Sequence, residues 1–357
     1  MKAQRIADLY SDYLLASFGA TTATGLSELL EGEISHDQVT RYLASTQKTA
    51  TDLWRTVKSF VREVQSEAGV LISDDAIEEK PYTDENEIVC GHYAHSKDRL
   101  LKGINFLTAL YSSQDVSVPV GFHLVAKTEK YTDPKTQKEK RRSPVSKNAV
   151  GQELIKQAVR NRIPFRFVLF DVWFASAETM VFIHQRQHRD FICPLKTNRK
   201  VALSKADKQQ GRYVRVDTLE LEAQTTREIY LEGVDFPLVL VKQVFTNEDG
   251  SIGLRYLVSS DTTLTFDDLT TTYHKRWHVA CYHKSLKPNV SLAKSPTQTV
   301  TTQTNHCFAA LCGFIKLERL KMWTALNHFT LKSKLYLNAL HSAFATLRTL
   351  MPGQSLA

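Results

Sequence analysis

Residues 165-FRFVLFD-171 indicate the architecture of this chain more clearly than any other run. The run is apolar except for Arg166, and Pro164 stands directly before it. A short continuous apolar run of this kind is typical of a strand that is buried on both faces of a sheet. Asp171 follows the last apolar residue, so the run predicts a buried strand with a carboxylate at its end.

Regular elements are predicted on both sides of this strand. Upstream there are three β-rich runs and an amphipathic helix, at 70–72, 104–111, 116–125 and 151–162. Downstream there are a helix at about 176–186 and a strand at 190–195. Three strands, a helix, an acid-bearing strand, a helix and a strand is the order of an RNase H-like core. We therefore predict an α/β fold with an RNase H-like mixed sheet.

The rest of the chain adds helical and β-rich regions to this core. A basic loop with two prolines is predicted at 127–148, and alternating strands after residue 195 predict an insertion. The predicted regions are a helical N-terminal region at 1–66, the first part of the core at 67–195, a β-rich insertion at 196–260, the last helix of the core at 261–295 and a helical C-terminal region at 296–357.

Composition narrows the class of protein. Hydrophobic residues make up 42% and charged residues 24%, which is ordinary for a soluble globular chain, and no apolar run approaches ~20 residues. We therefore expect no membrane contact. The net charge of +8 favours a polyanionic partner. Five cysteines without a C-x2-C pair predict reduced thiols in a cytoplasmic protein.

Two aspartates stand beside predicted buried strands. Asp74 follows the run 70–72 and Asp171 follows 165–170. Each alone is more often a turn or cap residue. In an RNase H-like sheet, however, their two strands are neighbours, and strand ends are suitable places for the carboxylates that hold Mg²⁺ in phosphodiester chemistry. Asp75 is the alternative to Asp74 as the first ligand.

The segment 273-YHKRWHVACYHKSLK-287 predicts an amphipathic helix. At about 100° per residue, four of its residues fall within roughly a 60° sector: Tyr273, Arg276, Ala280 and Lys287. Three apolar residues occupy a separate sector that is predicted to face a core: Val279, Tyr282 and Leu286. One face is therefore predicted to pack, while the next presents a tyrosine, two cations and a methyl group.

These motifs resemble those of bacterial insertion-sequence DDE transposases with the signature Y-x2-R-x3-E-x6-K. The matching stretches are LISDDAIEEKP, HSKDRLLKGINFLTALY, FDVWFAS and YHKRWHVACYHKSLK, and the resemblance covers most of the chain. It implies that Asp74, Asp171 and a glutamate bind Mg²⁺, for which Mn²⁺ can substitute. Ala280 stands at the glutamate position, and no acid occurs between Asp268 and Glu318 to replace it.

The same resemblance implies an activity and partners. A transposase of this group binds the terminal inverted repeats of its own element on double-stranded DNA as a homodimer. It then cleaves the ends and transfers them to target DNA by a cut-and-paste route. Tyr273, Arg276 and Lys287 would hold DNA phosphates. With Ala280, the expected behaviour is DNA binding, on the bacterial nucleoid, with strongly impaired cleavage.

Two further segments are candidates for DNA contact, and the first of them makes 1–66 the predicted DNA-binding region. Ser35 is a good N-cap for a helix that follows a glycine turn, as in a helix-turn-helix, where Gln38 and Arg41 would face the major groove. The alternative is an ordinary helical hairpin. In the basic loop, Lys140, Arg141 and Arg142 are predicted to follow the DNA backbone, and the alternative is a solvated segment.

The sequence leaves more than one function open. The first is a transposase whose cleavage is impaired by Ala280. The second is a domesticated, inactive transposase that acts as a sequence-specific DNA-binding protein, and the third is another RNase H-like nuclease. The rest of the predicted site is intact, which favours one introduced substitution over natural decay. His274 and His278 have zinc-ligand spacing but no third ligand, and Trp173 and Trp277 are expected to pack in the core.

Overall fold

A computed structural model describes residues 2–94, 97–134, 136–222 and 224–350 of the chain. The chain divides into two compact units. The first unit comprises Met1–Lys48 and Tyr282–Ala357, and the second comprises Thr49–Cys281. Residues 351–357 of the predicted C-terminal region lie outside the described residues. Within the described ranges, the helices are all too short or too polar to cross a membrane.

The described residues form helices and strands in the following order. The helices are α1 (Lys2–Ala16), α2 (Ala23–Leu29), α3 (His36–Leu43), α4 (Ala50–Val64), α5 (Lys147–Arg160), α6 (Ala177–Val181), α7 (Lys205–Gln209), α8 (Phe266–His274), α9 (Trp277–Asn289), α10 (Val300–Thr324) and α11 (His328–Leu350). The strands are β1 (Val70–Glu79), β2 (Val89–Ala94), β3 (Arg99–Ser113), β4 (Val116–Leu124), β5 (Glu129–Thr132), β6 (Glu139–Arg142), β7 (Phe167–Phe170), β8 (Asp190–Leu195), β9 (Lys200–Ala202), β10 (Val214–Arg215), β11 (Thr226–Leu231), β12 (Leu238–Thr246) and β13 (Ile252–Ser259). A single π-helical turn, Phe182–Arg186, continues α6.

One large mixed sheet forms the centre of the second unit. From one edge its strands follow the order β10-β9-β11-β12-β13-β8-β7-β1-β3, with β2 and β4 both pairing with β3. The pairs β1–β7 and β7–β8 are parallel, whereas β1–β3, β3–β4 and β8–β13 are antiparallel. The central strands are almost wholly buried, as a sheet covered on both faces requires.

Helices pack on both faces of this sheet. α5 packs against β1, β3 and β4, while α8 packs against β8 and β13. Successive side chains of a strand point to opposite faces, so β1 presents alternate residues to each side. Ser73 lies beneath Gly151 of α5, where an added Cβ would be 3.6 Å from the Ser73 Oγ. Residues 73 and 75 therefore face α5, and residue 74 faces the other side.

Three features of this unit differ from the sequence prediction. β1 continues to Glu79 instead of stopping before Asp74, because the long strand β3 pairs with it along its whole length. β2 was not predicted. The segment predicted as a basic loop contains the hairpin β5–β6, in which the ion pairs Lys130–Glu139 and Arg142–Glu129 join the two strands.

The residues predicted as an insertion continue the central sheet. β13 pairs with β8 in antiparallel register, with Leu257 opposite Pro194, and β12 and β11 follow outward. The first part of β12 and the last part of β13 are buried, as expected for strands that share the core. These strands therefore extend the same sheet that carries β1 and β7.

The first unit is all helical, and buried polar residues of α10 connect its parts. Asn305 Nδ2 donates to the Leu43 carbonyl at 2.8 Å, and Asn305 Oδ1 accepts from the Lys48 N–H at 2.8 Å. His306 lies between the Tyr10 hydroxyl and the Leu292 carbonyl, each at 3.0 Å. Because buried polar groups must be paired, these contacts hold α1 and the end of α3 against α10.

Replacing Asn305 with Ala should destabilise the first unit. The change leaves the Leu43 carbonyl and the Lys48 N–H without their partner, and each buried unpaired group costs about 1–3 kcal/mol. The thermal unfolding midpoint followed by circular dichroism should fall by several degrees. Thr301→Ala, a partly exposed polar deletion on the same helix, is the control and should change stability by less than about 0.5 kcal/mol. Equal losses for the two variants would contradict this role of Asn305.

Candidate active site

The parallel pairing of β1 with β7 brings the two predicted acids together. Its last paired residues are Ser73 and Phe170. The next residue on each strand is an aspartate, Asp74 on β1 and Asp171 directly after β7. The sequence predicted that Asp74 follows the end of its strand. Instead, β1 continues past Asp74, and Asp74 follows the end of the parallel pairing.

Burial and mutual repulsion make these two carboxylates difficult to ionise together. Burial raises the pKa of Asp74 from 3.8 to about 7, and the charge of Asp171 adds to the rise. Burial also raises the pKa of Asp171, against hydrogen bonds from the backbone of Trp173 and Phe174. The Asp74 side chain is only 17% exposed. Two adjacent, poorly solvated carboxylates of this kind suit a divalent cation, because the cation offsets both charges.

Arg276 is the cation that contacts this pair. Its Nη1 lies 3.3 Å from Asp74 Oδ2, and its charge lowers the pKa of both Asp74 and Asp171 against the effect of burial. Tyr273 lies alongside, and its hydroxyl is 3.5 Å from the Phe170 carbonyl. The guanidinium groups of Arg276 and Arg255 lie 5.9 and 5.8 Å from the centre of its ring. Burial raises the pKa of Tyr273 to about 12, so its hydroxyl stays protonated.

The segment that carries Tyr273 and Arg276 is not one straight helix. α8 ends at His274, and α9 begins at Trp277. Four N–H groups around the turn bond to the carbonyl three residues earlier instead of four: those of Lys275, Arg276, His278 and Val279. The predicted single stripe is therefore wrong. Tyr273 is buried instead of presented, while the separate apolar sector is buried as expected at Val279, Tyr282 and Leu286.

Asp75 occupies a different environment from Asp74. Its Oδ2 accepts from Asn105 Nδ2 and from Lys147 Nζ, each at 2.6 Å. Lys147 is the first residue of α5, so Asp75 faces the α5 side of the sheet. Asp74, one residue earlier, faces the side of Arg276 and Tyr273. The geometry therefore separates the two candidates for the first ligand.

Ala280 and Lys287 both lie on α9, beyond the turn. Ala280 is partly exposed and follows His278, whose Nδ1 is 2.6 Å from the Ser112 Oγ of β3. Lys287 is exposed and belongs to the first unit. Among the described residues, no group of three or more His, Cys, Asp or Glu side chains is arranged to share a metal ion. The described acids therefore offer two carboxylates at this position, Asp74 and Asp171.

A cleft of about 450 Å³ opens beside Asp171. Its lining includes Tyr273, His274, Arg276 and Trp277 from the α8–α9 segment. The opposite wall comes from β8, β12 and β13, including the cross-strand neighbours Gln243 and Arg255. The cleft thus combines a carboxylate, two guanidinium groups and an indole ring, which are groups that can bind a metal, phosphates and a base.

The wall of the cleft formed by β12 and β13 was not predicted from the sequence. Arg255 interrupts an otherwise apolar strand, and Gln243 stands directly across from it. The Oε1 of Gln243 is buried and has no hydrogen-bond partner among the described residues. Arg255 is exposed and Gln243 is partly exposed, so only the strand order, and no local pattern, brings these two residues to the cleft.

The two tryptophans differ from expectation, and the two histidines with zinc-ligand spacing have different neighbours. Trp173 and Trp277 are 49% and 66% exposed, so the expected core packing is wrong for both. Lys196 Nζ lies 4.4 Å from the centre of the Trp173 ring, which is a cation–π contact. His274 faces the cleft, whereas His278 contacts Ser112, so the turn sends the two imidazoles to different neighbours.

The predicted DNA-contacting residues outside the cleft lie in two places. In the first unit, Ser35 caps α3, and Gln38 completes a capping box with its Oε1 2.9 Å from the Ser35 N–H. Gln38 is therefore only partly exposed, whereas Arg41 is exposed. In the second unit, Lys140, Arg141 and Arg142 are on β6. Lys140 is paired with Asp133 and Arg142 with Glu129, so two of the three predicted DNA contacts carry ion pairs.

A mixed sheet with two adjacent buried carboxylates at the end of a parallel pairing is consistent with a metal-dependent nuclease fold. A family model described as DDE superfamily endonuclease matches residues 1–218. The chain therefore belongs to the DDE superfamily endonucleases, whose members generally use divalent metal ions and whose substrate is DNA. The match includes Asp74 and Asp171 and ends before β11. A search of characterised proteins found no match to the chain.

Replacing Asp74 with Asn should stabilise the chain at high pH. Because the pKa of Asp74 is raised from 3.8 to about 7, the folded state holds a proton that the unfolded chain has released, so ionisation destabilises the fold as pH rises through this range. In a chelator-containing buffer, Asp74→Asn should raise the unfolding midpoint at pH 8, and the gain should vanish towards pH 4. Calorimetry across this range measures both.

Asp75→Asn is the matched control for this experiment. It removes the ion pair with Lys147, so we expect a lower unfolding midpoint at pH 8. If Asp74→Asn also lowered the unfolding midpoint at pH 8, ionisation of Asp74 would not destabilise the folded state.

Proposed function

We propose that the chain is a transposase of the insertion-sequence type that binds the terminal inverted repeats of its element as a homodimer. The observation that carries the proposal is the register of β1 and β7, which brings Asp74 and Asp171 together beside Arg276. Membership of the DDE superfamily endonucleases supports the same reaction class. The strand order β4-β3-β1-β7-β8 supports an RNase H-like core.

Asp74 and Asp171 are the proposed ligands of Mg²⁺, for which Mn²⁺ can substitute. Their raised pKa values and adjacent positions fit a divalent cation, and Arg276 is the only cation that an ion pair links to either acid in the described chain. When bound, such an ion stabilises the attacking and leaving oxygens of a phosphodiester. Asp75 is not proposed as a ligand, because Lys147 and Asn105 already contact its Oδ2.

Arg276, Tyr273 and Lys287 are the proposed phosphate-binding residues. The guanidinium of Arg276 has four other N–H bonds besides the one directed at Asp74, and it lines the cleft next to Asp171. Tyr273 holds its hydroxyl group in the protonated form, so it acts as a support and not as a base. Lys287 is exposed and acts as a point charge.

Ala280 is the proposed reason for impaired cleavage. A methyl group stands where the signature requires a carboxylate, and in the described chain no third acid is arranged to share a metal ion with Asp74 and Asp171. Loss of one ligand weakens the metal site but leaves the cationic groups that bind DNA. We therefore propose that this chain binds its DNA ends and cleaves them poorly.

Ala280→Glu should restore Mg²⁺-dependent nicking. A third carboxylate strengthens the metal site, and an effect of several kcal/mol on the transition state corresponds to roughly 1,000-fold in rate. The measurement is nicking of labelled duplexes that carry the ends of the element, with and without Mg²⁺. DNA affinity should change little.

Ala280→Gln is the matched control, since it has the same size as glutamate but no charge. It should leave cleavage at the level of the parent chain, and Asp171→Asn should abolish the activity that Ala280→Glu restores. If the Glu and Gln variants cut equally well, the role of position 280 as a ligand is wrong.

Arg41→Ala should weaken binding to the element ends. Arg41 is exposed on α3, the second helix of the predicted helix-turn-helix, where a base or phosphate contact contributes about 1–3 kcal/mol. Fluorescence anisotropy should show roughly a 10- to 100-fold rise in the dissociation constant. Arg55→Ala, on the exposed face of α4, is the control. Equal binding by the parent chain and the Arg41 variant would favour the ordinary helical hairpin.

A further inference from the structure

The last turn of α9 is a weak helix end by itself. α9 ends at Asn289, and Pro288 stands directly before this last residue. Because proline has no N–H group, Pro288 cannot donate to the Lys284 carbonyl one turn earlier. The final carbonyls of any helix also have no partner within the helix. The position of this turn therefore depends on contacts from other elements of the first unit.

Lys287 is the residue through which this turn enters the proposed function. Its side chain is exposed, whereas Leu286 before it is 1% exposed and Asn289 after it is 2% exposed. The lysine stem is flexible, so the backbone of the turn decides which region its ammonium can reach. A turn that is already fixed lowers the entropic cost of binding a phosphate.

His328, the first residue of α11, contacts this turn. It is 6% exposed, and its Nδ1 is 2.8 Å from Ser285 Oγ. The same Ser285 Oγ accepts from Asn289 Nδ2 at 3.0 Å. The Nε2 of His328 lies 3.2 Å from Glu318 Oε1, an electrostatic contact without hydrogen-bond geometry. Its ring packs edge-on against Phe314, with 5.0 Å between the centres. Residues of α10 thus fix the imidazole that holds Ser285.

Lys332, one turn further along α11, contacts the end of α9. Its Nζ donates to the Pro288 carbonyl at 2.7 Å and to the Asn289 carbonyl at 3.4 Å. These are two of the carbonyls that a helix end leaves without a partner. A cation at this place is also favoured by the partial negative charge of a helix C-terminus. Lys332 therefore supplies from α11 the cap that α9 lacks.

The surroundings of Lys332 keep its ammonium in place. Burial lowers the pKa of Lys332 to about 8, and the charge of Lys294 adds to the fall. The ring centres of Phe18 and Tyr336 lie 5.9 and 5.8 Å from its Nζ and favour the charged form. A half-buried ammonium needs acceptors, and the two α9 carbonyls supply them. Lys332 thus differs from a solvated surface lysine.

We propose that His328 and Lys332 are positioning residues for Lys287. They stand four residues apart on α11, a spacing that places two side chains on the same face of a helix. His328 holds Ser285 before Lys287, and Lys332 holds the carbonyls after it. The ammonium of Lys287 then meets a DNA phosphate without the turn having to be ordered first. The inference rests on the phosphate-binding role proposed above for Lys287 and adds two residues from outside the signature.

A double-variant cycle of DNA binding by the full chain, on duplexes that carry the element ends, tests this proposal. Lys287→Ala should raise the dissociation constant roughly tenfold and reduce the slope of log affinity against log salt by about 0.9, the value for one phosphate contact. Lys332→Met keeps the aliphatic stem and should raise the dissociation constant at least about threefold. Both together should bind no more weakly than Lys287→Ala alone. Lys332→Arg keeps the charge and donors and should recover most of the affinity.

Lys334→Met is the matched control, because it removes the same charge from an exposed position on the same helix. Its effect on binding, whatever the size, should add to that of Lys287→Ala. Additive losses for Lys332→Met would overturn the proposal, because Lys332 would then bind a phosphate itself, and so would unchanged binding by Lys332→Met. If Lys287→Ala alone bound like the parent chain, the proposed role of Lys287 would be wrong, and the positioning role with it.

Hydrogen exchange followed by mass spectrometry tests the contacts themselves without DNA. Ser285→Ala removes the hydroxyl that His328 holds, and Lys332→Met removes the cap. Each should speed amide exchange in residues 283–289 by about tenfold, because local opening of this turn becomes easier, while exchange in α5 stays unchanged. Unchanged exchange at 283–289 in both variants would overturn the proposal even for a chain that bound no DNA. Faster exchange together with additive DNA binding would leave the turn held but Lys287 unaffected, which also overturns it.

Discussion

The parallel pairing of β1 with β7 is the interaction on which the candidate active site depends. It ends one residue before Asp74 on β1 and one residue before Asp171, which follows β7, so two acids far apart in sequence become neighbours. Each strand is buried, and the backbone hydrogen bonds of the sheet therefore fix the carboxylates in position. The cost is electrostatic, since burial and proximity raise the pKa values of both acids, and the single guanidinium of Arg276 offsets only part of the repulsion.

The alternation of side chains along β1 divides the acids between two environments. Asp75 faces α5 and is neutralised by Lys147, so it behaves as a structural ion pair. Asp74 faces Arg276 and the cleft side, where no lysine contacts it among the described residues. A shift of one residue in the register of β1 would exchange the two, because the side-chain period of a strand is two. The ten-residue pairing of β1 with β3 opposes such a shift.

Local patterns in the sequence predicted part of this fold and less of the site. The run Phe167–Phe170 and the capping box at Ser35 were evident, since buried strands and helix caps have strong local signals. The continuation of β1 through polar residues was not evident, because only pairing with β3 keeps that segment extended. The turn between α8 and α9 was not predicted, because placing residues at about 100° each assumes one straight helix. The cleft wall at Arg255 depends on strand order, which no local pattern encodes.

The strands β11 to β13 have a consequence for how such a chain can be shortened or rearranged. Because β13 bonds to β8 along the central sheet, excising this region would turn β8 into an open edge with a row of unpaired N–H and C=O groups. A buried, apolar strand exposed in that way recruits other chains into aggregates. The segment is thus no removable appendage, and any replacement for it must supply at least one strand that closes the edge beside β8.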